Sequence, residues 1–177
     1  LHKSSHSFPT RRSSDLATTT STANVALVKR LGADVVIDYK TQDFEEHLRD
    51  YDVVLHSQDS AALEKSLRVL KRGGKLVSIS GPADPAFGQQ VSAPGFVKLV
   101  IWLLGAGVRR RARARGVDYT FLFMMASGSQ LRDITRIIDA GTIRPVIDKV
   151  FPFASTNEAL AYVESGRAKG KVVVSVR

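Results

Sequence analysis

The stretch LVKRLGADVVIDY, residues 27–39, constrains the fold of this chain more than any other. Val25, Leu27, Val28 and Leu31 recur at helical spacing. Gly32 follows at once and suits the left-handed residue that ends a helix. Val35, Val36 and Ile37 then run without alternation, the pattern of a strand buried on both faces. Helix, glycine and buried strand make half of a βαβ unit, the element from which nucleotide-binding sheets are built.

The remaining chain alternates in the same way. Ala17–Thr20 reads as the tail of a strand, residues 22–31 as a helix and Phe44–Leu48 as a short helix. Val53–Leu55 is a predicted strand, and Ser60 is placed to cap a helix carrying Leu63, Leu67 and Leu70. Gly73 and Gly74 are expected to end that helix before a strand at Leu76–Ile79, which Gly81-Pro82 stops. Residues 82–95 read as a loop and Phe96–Val108 as an apolar helix. Tyr119–Met125 reads as an aromatic strand. A helix with Leu131, Ile134, Ile137 and Ile138 on one face ends at Gly141. Residues 145–153 and 171–176 are predicted strands flanking a helix at 156–165. Such alternation with short connections predicts an α/β chain with a doubly wound parallel sheet.

The 177 residues suffice for a domain with its own core, and 44% of them are apolar. There is no cysteine, which excludes a disulfide framework, thiolate catalysis and a cysteine zinc site. The four histidines, His2, His6, His47 and His56, lack metal-ligand spacing, so no metal is expected. The same composition leads to the expectation of a cytoplasmic protein.

The net charge of +9 has two local sources. Residues 1–16 hold Lys3, Arg11 and Arg12 against Asp15, and five arginines sit at positions 109, 110, 111, 113 and 115. The rest of the chain is nearly balanced, which speaks against a surface built for nucleic acid. The apolar run before the arginines is too short to span a membrane, and its expected place is beside a substrate cleft rather than on a membrane surface. Ser7–Leu16, SFPTRRSSDL, resembles the in-frame translation of a sequencing adapter. Residues 1–16 are therefore expected to be non-native, and the genuine protein to begin near Ala17.

Four ordered segments carry a family resemblance: ATTTSTANVALVKRLGADVVIDY, LEKSLRVLKRGGKLVSISGP, IDAGTIRPVIDKVFPF and ALAYVESGRAKGKVVVSV. Together they resemble the zinc-independent medium-chain dehydrogenase/reductase family, on its quinone-oxidoreductase-like, NADP-dependent branch. The resemblance implies an incomplete Rossmann domain over residues 17–125, with an inserted helix at about 94–116. It also implies a C-terminal segment, residues 126–177, that would pack on a GroES-like domain outside this sequence. The glycine-rich phosphate turn of the family has no counterpart here. The implied parent transfers hydride from NADPH to a quinone-like or conjugated carbonyl substrate and is a homodimer. The isolated piece is expected to be inactive and to bind cofactor weakly. A non-catalytic nucleotide-binding or scaffold protein of the same fold is the alternative.

Cofactor choice turns on the end of the first strand. An acid there would bind ribose hydroxyls and repel a 2′-phosphate. This chain has Thr18-Thr19-Thr20-Ser21-Thr22 instead, whose hydroxyls can donate to a phosphate. The run also serves to cap the next helix. By resemblance, Thr20, Ser21 and Tyr39 surround the 2′-phosphate of NADP, although Asn24 stands where many relatives carry lysine. Asp38 ends a strand at the carboxyl edge, where it either contacts the adenine side or bonds nearby amides. His56 reads as a ribose contact or as a loop histidine. By resemblance, Ser80 and Gly81 lie near the nicotinamide, and Phe121, Leu122 and Phe123 approach its carboxamide. Lys169 and Lys171 are expected to reach cofactor phosphates or to favour a helix C-terminus. No residue stands out as a catalytic acid or base.

Overall fold

A computed structural model describes residues 15–176. Residues 1–14, and with them most of the adapter-like segment, lie outside the described residues. The chain divides into two compact units, the first ending at Met124 and the second running from Met125.

In the first unit, β1 (Ala17–Thr20) leads through a 3-10 turn (Thr22–Asn24) into α1 (Val25–Arg30). Gly32 takes φ +99° and turns the chain into β2 (Val35–Asp38), which pairs in parallel with β1. Ile37 is buried, but Val35 and Val36 are only half-buried, because β2 is an edge strand. Next come α2 (Phe44–His47), β3 (Tyr51–His56), α3 (Ser60–Val69) and β4 (Leu70–Ser78). The cap of α3 is Asp59, whose carboxylate receives the Ala62 amide at 2.8 Å; Ser60 is already the first helical residue.

Gly73 and Gly74 do not end α3. They lie within β4, where the β3–β4 register shifts between Tyr51 and Val53 and Gly73 adopts φ +80°. Gly73 donates its amide to the Gly116 carbonyl at 2.6 Å, so the irregularity is anchored. The expected loop at 82–95 contains α4 (Pro85–Gln90), capped by Asp84. The apolar run is α5 (Gly95–Leu104), followed by α6 (Ala106–Ala114). β5 (Asp118–Phe121) pairs in parallel with β4 and stops before Leu122, so the aromatic strand is shorter than its sequence suggested. Its partner β4 ends at Ser78, whose carbonyl takes the Leu122 amide, while the Phe121 amide is taken by Asp84.

The strands form a β1–β2 pair and a β3–β4–β5 ladder, both parallel. A cleft of about 1290 Å³ separates them, lined by Ala17–Thr19, by Val28 and Leu31, and by β3 from end to end. In doubly wound sheets of order 3-2-1-4-5-6, the first strand stands between the second and the fourth. Here a cleft stands between the β1–β2 pair and β3. It leaves Val53 and Leu55 of β3 exposed. One core lies under α3 and α6, with Leu63, Leu67, Leu76, Val108 and Val117. A smaller cluster of Ile37, Leu48 and Val69 also draws in Ala17 and Val54 from the two ladders.

The second unit contains α7 (Gly128–Asp139), β6 (Ile147–Pro152), α8 (Thr156–Glu164) and β7 (Lys171–Ser175). β6 and β7 pair in parallel, and Gly141 ends α7 at φ +70°. The apolar stripe Leu131, Ile134, Ile137 and Ile138 is on the surface of this unit.

Candidate functional site

At the carboxyl edge of β1 and β2 the structure gathers Thr20, Ser21, Asp38 and Tyr39. The Tyr39 amide donates to the Thr20 carbonyl at 3.1 Å, which ties the two strand ends together. Ser21 has extended backbone and opens the 3-10 turn, yet its side chain makes no capping bond. Asp38 faces both its own loop and the turn that follows β1. The Thr22 hydroxyl, the Lys40 amide at 3.0 Å and the Lys40 charge hold its carboxyl below the usual carboxylate range.

Beside these residues lies a cleft of about 630 Å³, lined by Thr19, Tyr39, Lys40, Thr41, Gln58 and Lys65 among others. The Tyr39 ring is 60% exposed and forms part of its wall. Lys65 reaches this cleft from α3 and pairs with Asp43, with Glu45 at 3.8 Å. Its hydrogen bond to Asp43 holds the ammonium above its ordinary value. Sequence reasoning passes over Lys65 and Asp43, because their partnership spans 22 residues and matches no motif.

The second group stands at the end of β3 and β4. His56 is 3% exposed, and both its ring nitrogens are engaged. The Asp59 carbonyl, 2.9 Å from Nε2, can only accept, so Nε2 carries the proton. In the neutral ring Nδ1 then accepts the Ser78 hydroxyl at 2.9 Å. Ser78 is fully buried, and its Oγ receives the Gly81 amide at 2.8 Å. His56 thus holds the Ser80–Gly81 turn from beneath rather than offering a free edge to a ribose. Ser80 bonds the Gln58 carbonyl at 2.7 Å, which fastens the turn to the loop after β3.

Gly81 is required by close approach. A Cβ there would lie 2.7 Å from both Ser78 Oγ and the Tyr119 hydroxyl, and 2.9 Å from Leu63. Burial pushes the Tyr119 phenol up. The hub of this group is Ser78, which no motif singles out.

Phe121 follows at the end of β5. Its amide donates to the buried Asp84 at 3.0 Å, and the Leu122 amide donates to the Ser78 carbonyl at 2.8 Å. Both donors are committed within the protein, leaving carbonyls and ring faces for any ligand. Phe87 meets Phe121 and Phe123 edge-on at 5.6 and 4.8 Å. Leu122 and Phe123 are exposed.

Lys169 and Lys171 belong to the second unit, and both side chains are exposed. The Lys169 amide donates to Asp148 at 3.1 Å, and that carboxylate also receives the Tyr162 hydroxyl at 2.7 Å. The Tyr162 bond is the main reason why the Asp148 carboxyl lies low.

The expected dinucleotide would need a 2′-phosphate side, a ring side and a pyrophosphate turn. The cleft beside Tyr39 and Lys40 also holds Asp43 and Asp59; no acid ends β1, and the Ser21 hydroxyl is not used as a cap. At Gly81 the space that a Cβ would fill is already taken by Ser78, Tyr119 and Leu63, so the glycine lets the turn pack on the protein itself. The pyrophosphate has no glycine-rich turn among the described residues. Zinc does not fit: the sequence lacks cysteine, and no group of three or more potential ligands comes together among the described residues.

Residues 31–174 match the family model of zinc-binding dehydrogenases. The chain is 37% identical over 160 residues to the human mitochondrial NAD(P)H oxidoreductase RTN4IP1, covering 85% of this chain and 39% of that protein. It is 32% identical over 163 residues to tomato (Solanum lycopersicum) 2-methylene-furan-3-one reductase, covering 91% of this chain and 33% of that protein. It is 31% identical over 163 residues to the chloroplastic NADPH-dependent alkenal/one oxidoreductase of Arabidopsis thaliana, covering 91% of this chain and 33% of that protein. Among solved structures, the quinone oxidoreductase from Coxiella burnetii superposes with a TM-score of 0.67 at 22% identity, covering 92% of this chain and 45% of that one. This chain spans 33–40% of the length of the relatives from human, zebrafish and plants.

The cytoplasmic expectation is corrected by these relatives, since the human, mouse, zebrafish and bovine proteins are mitochondrial. Cysteine content reports redox chemistry, whereas a compartment address is read from a leader segment, so the lack of thiols could not fix it. Parallel α/β architecture, the matched segment and the relatives agree, and the chain belongs to the zinc-binding dehydrogenase family.

Proposed function

We propose that this chain is the cofactor-binding part of an NADPH-dependent oxidoreductase that passes hydride to a quinone-like or conjugated carbonyl acceptor without zinc. The observation that carries the reading is what stands at the carboxyl ends of the two ladders. These are the acid-free β1 terminus beside the Tyr39–Lys40 cleft, and the Ser78-braced Ser80–Gly81 turn. Relatives named as an alkenal/one oxidoreductase and a furanone reductase support the acceptor class.

NADPH, when bound, supplies the hydride. The protein's part is to hold and orient it. Tyr39, Lys40 and the hydroxyls of Thr20 and Ser21 hold the 2′-phosphate side. Ser80, Gly81 and the backbone at Phe121–Phe123 shape the ring side. No described residue at these strand ends is a free acid or base, because both nitrogens of His56 are engaged. The proton that completes carbonyl reduction then comes from water or from residues beyond this sequence. β5 is an edge strand, open to pairing in a homodimeric parent.

Weak binding by the chain alone follows from the lack of a pyrophosphate turn. The test is a titration of the 177-residue chain with NADPH, followed by backbone NMR. Shifts at Tyr39, Thr41 and Gly81 with affinity weaker than micromolar are expected. Micromolar binding would overturn the partial-site reading, and shifts elsewhere would overturn the site. A longer protein containing this chain should oxidise NADPH with an enone or a benzoquinone. Failure with both acceptors would remove the reductase reading.

A further inference from the structure

We propose that α5 and α6 together form a docking surface for an anionic lipid membrane. α5 turns one apolar stripe outward. Phe96, Leu99, Val100, Leu103 and Leu104 are all exposed, Phe96 at 72% and Leu104 at 73%. At helical spacing these five positions cover an arc of roughly 140°. The opposite side carries Lys98 and Ile101, which pack against Gly88 of α4. No residue of α5 is buried, so the helix lies on the surface with its other side on α4.

The helical path continues into α6. Gly105 keeps right-handed backbone, its amide donates to Ile101 at 3.0 Å, and its carbonyl receives the Arg109 amide at 3.2 Å. Val108 and Ala112 anchor α6 in the core under α3. Arg110 and Arg113 fall on the other side of the helix and are exposed. Residues 95–116 hold Lys98 and five arginines and no acid. Arg111 pairs with Glu64, and Arg109 sits over the Trp102 ring at 5.9 Å. Arg110, Arg113 and Arg115 have no carboxylate partner among the described residues.

An apolar stripe followed directly by unpaired guanidinium groups matches a lipid interface in both of its layers. Aliphatic side chains enter the headgroup boundary while arginines stay at the phosphates. Among the described residues no helix is long and apolar enough to cross a membrane, so the geometry is that of lying on one. A second copy is disfavoured as the occupant, because the arginine rows would approach each other. An acidic protein would satisfy the arginines but leave the five apolar side chains without a reason.

Docking also has a consequence for the proposed site. Gly105 packs so closely on Ala83 that a Cβ would come 2.6 Å from the Ala83 carbonyl, two residues after Gly81. The acceptor side of the sheet edge would then stand at the surface in which apolar carbonyl compounds dissolve. That consequence rests on the oxidoreductase reading; vesicle binding does not, so the two fail separately.

Trp102 is the only tryptophan in the chain and is 51% exposed, so its emission reports directly on this helix. The 177-residue chain is mixed with phosphatidylglycerol–phosphatidylcholine vesicles or with pure phosphatidylcholine vesicles. A blue shift of Trp102 and co-sedimentation with the anionic vesicles alone are expected, both weakening as salt rises. R110Q/R113Q should partition about thirtyfold more weakly. L99Q/L103Q should lose the blue shift while keeping its charge, with circular dichroism confirming that it folds. No response to anionic vesicles overturns the proposal, as does equal binding by R110Q/R113Q. A Trp102 shift without lipid that tracks protein concentration and a doubled mass would assign the face to a second copy instead. Binding of an acidic polypeptide in place of vesicles would assign it to a protein.

Discussion

The buried hydroxyl of Ser78 donates to Nδ1 of His56 at 2.9 Å, and the same oxygen receives the Gly81 amide at 2.8 Å. One side chain thereby couples the end of β3 to the turn after β4. Ser78→Ala removes both bonds and the longer one from the Ser80 amide, and leaves the ring nitrogen only the Ser80 hydroxyl at 3.5 Å, at a cost of about 1–3 kcal/mol. Urea unfolding of the variant checks the loss. NMR should show the Ser80 and Gly81 amides shifting, and an unmoved turn would show that the brace is not needed.

Gly81→Ala tests the turn from the other side. The new methyl would meet Ser78, Tyr119 and Leu63 inside ordinary contact distance. Overpacking of this kind costs about 1–3 kcal/mol. The melting temperature should fall and the Tyr119 resonances should shift, and an unchanged melting temperature would show that the turn relaxes around the methyl.

The 2′-phosphate reading predicts a selective effect of charge. Ser21→Asp places a carboxylate where Ser21 makes no capping bond. Binding of 2′,5′-ADP should weaken by at least about tenfold, through like-charge repulsion, while 5′-AMP is unaffected. Equal loss of both ligands would detach Ser21 from the 2′-phosphate.

Asp148 makes the stability of the second unit depend on acid. The Tyr162 hydroxyl foremost, then the Lys169 amide, hold its carboxyl below the ordinary value. Its contribution is present above the ordinary carboxylate range and is lost as pH falls through the lower folded value. The partner phenol of Tyr162 is pushed up, so its share is present at neutral pH and lost as pH rises through that raised value. Asp148→Asn should flatten the acid limb of a melting profile followed at the Tyr162 resonances. An unchanged limb would show that other carboxylates govern it.

Leu67 is 1% exposed at the centre of the larger core. Leu67→Ala should cost about 2–5 kcal/mol, measured by urea unfolding of the first unit.

Most of the fold was legible because its signals are local. Gly32 could be placed as a left-handed terminator from its position after Leu31, and it adopts φ +99°. Val35–Asp38 reads as a strand from its β-branched run and is one. The misreadings share a cause. Gly73 and Gly74 resemble a helix end, but a bond from Gly73 to Gly116 makes them part of β4, and residue 116 is too distant to be inferred locally. Leu122–Met125 has strand composition, yet its partner β4 ends at Ser78, whose carbonyl takes the Leu122 amide, and that end lies far earlier in the chain than a local reading reaches.

The candidate site divides in the same way. Thr20, Ser21 and Tyr39 come together because the register of β1 on β2 sets their strand ends side by side, with Tyr39 bonded to Thr20. That much follows from a βαβ pattern. The sequence by itself determined the parallel α/β architecture, the acid-free end of β1 and the absence of thiol chemistry, since each depends on residue type and short spacing. Only the tertiary structure decided that His56 is a buried brace, that Ser78 is its hub, and that Lys65 reaches the Tyr39 cleft. It alone shows the open space between β1 and β3. Hydrogen bonds of fixed length and contacts across 20 or more residues exist only once the strands have been placed, and no local pattern encodes them.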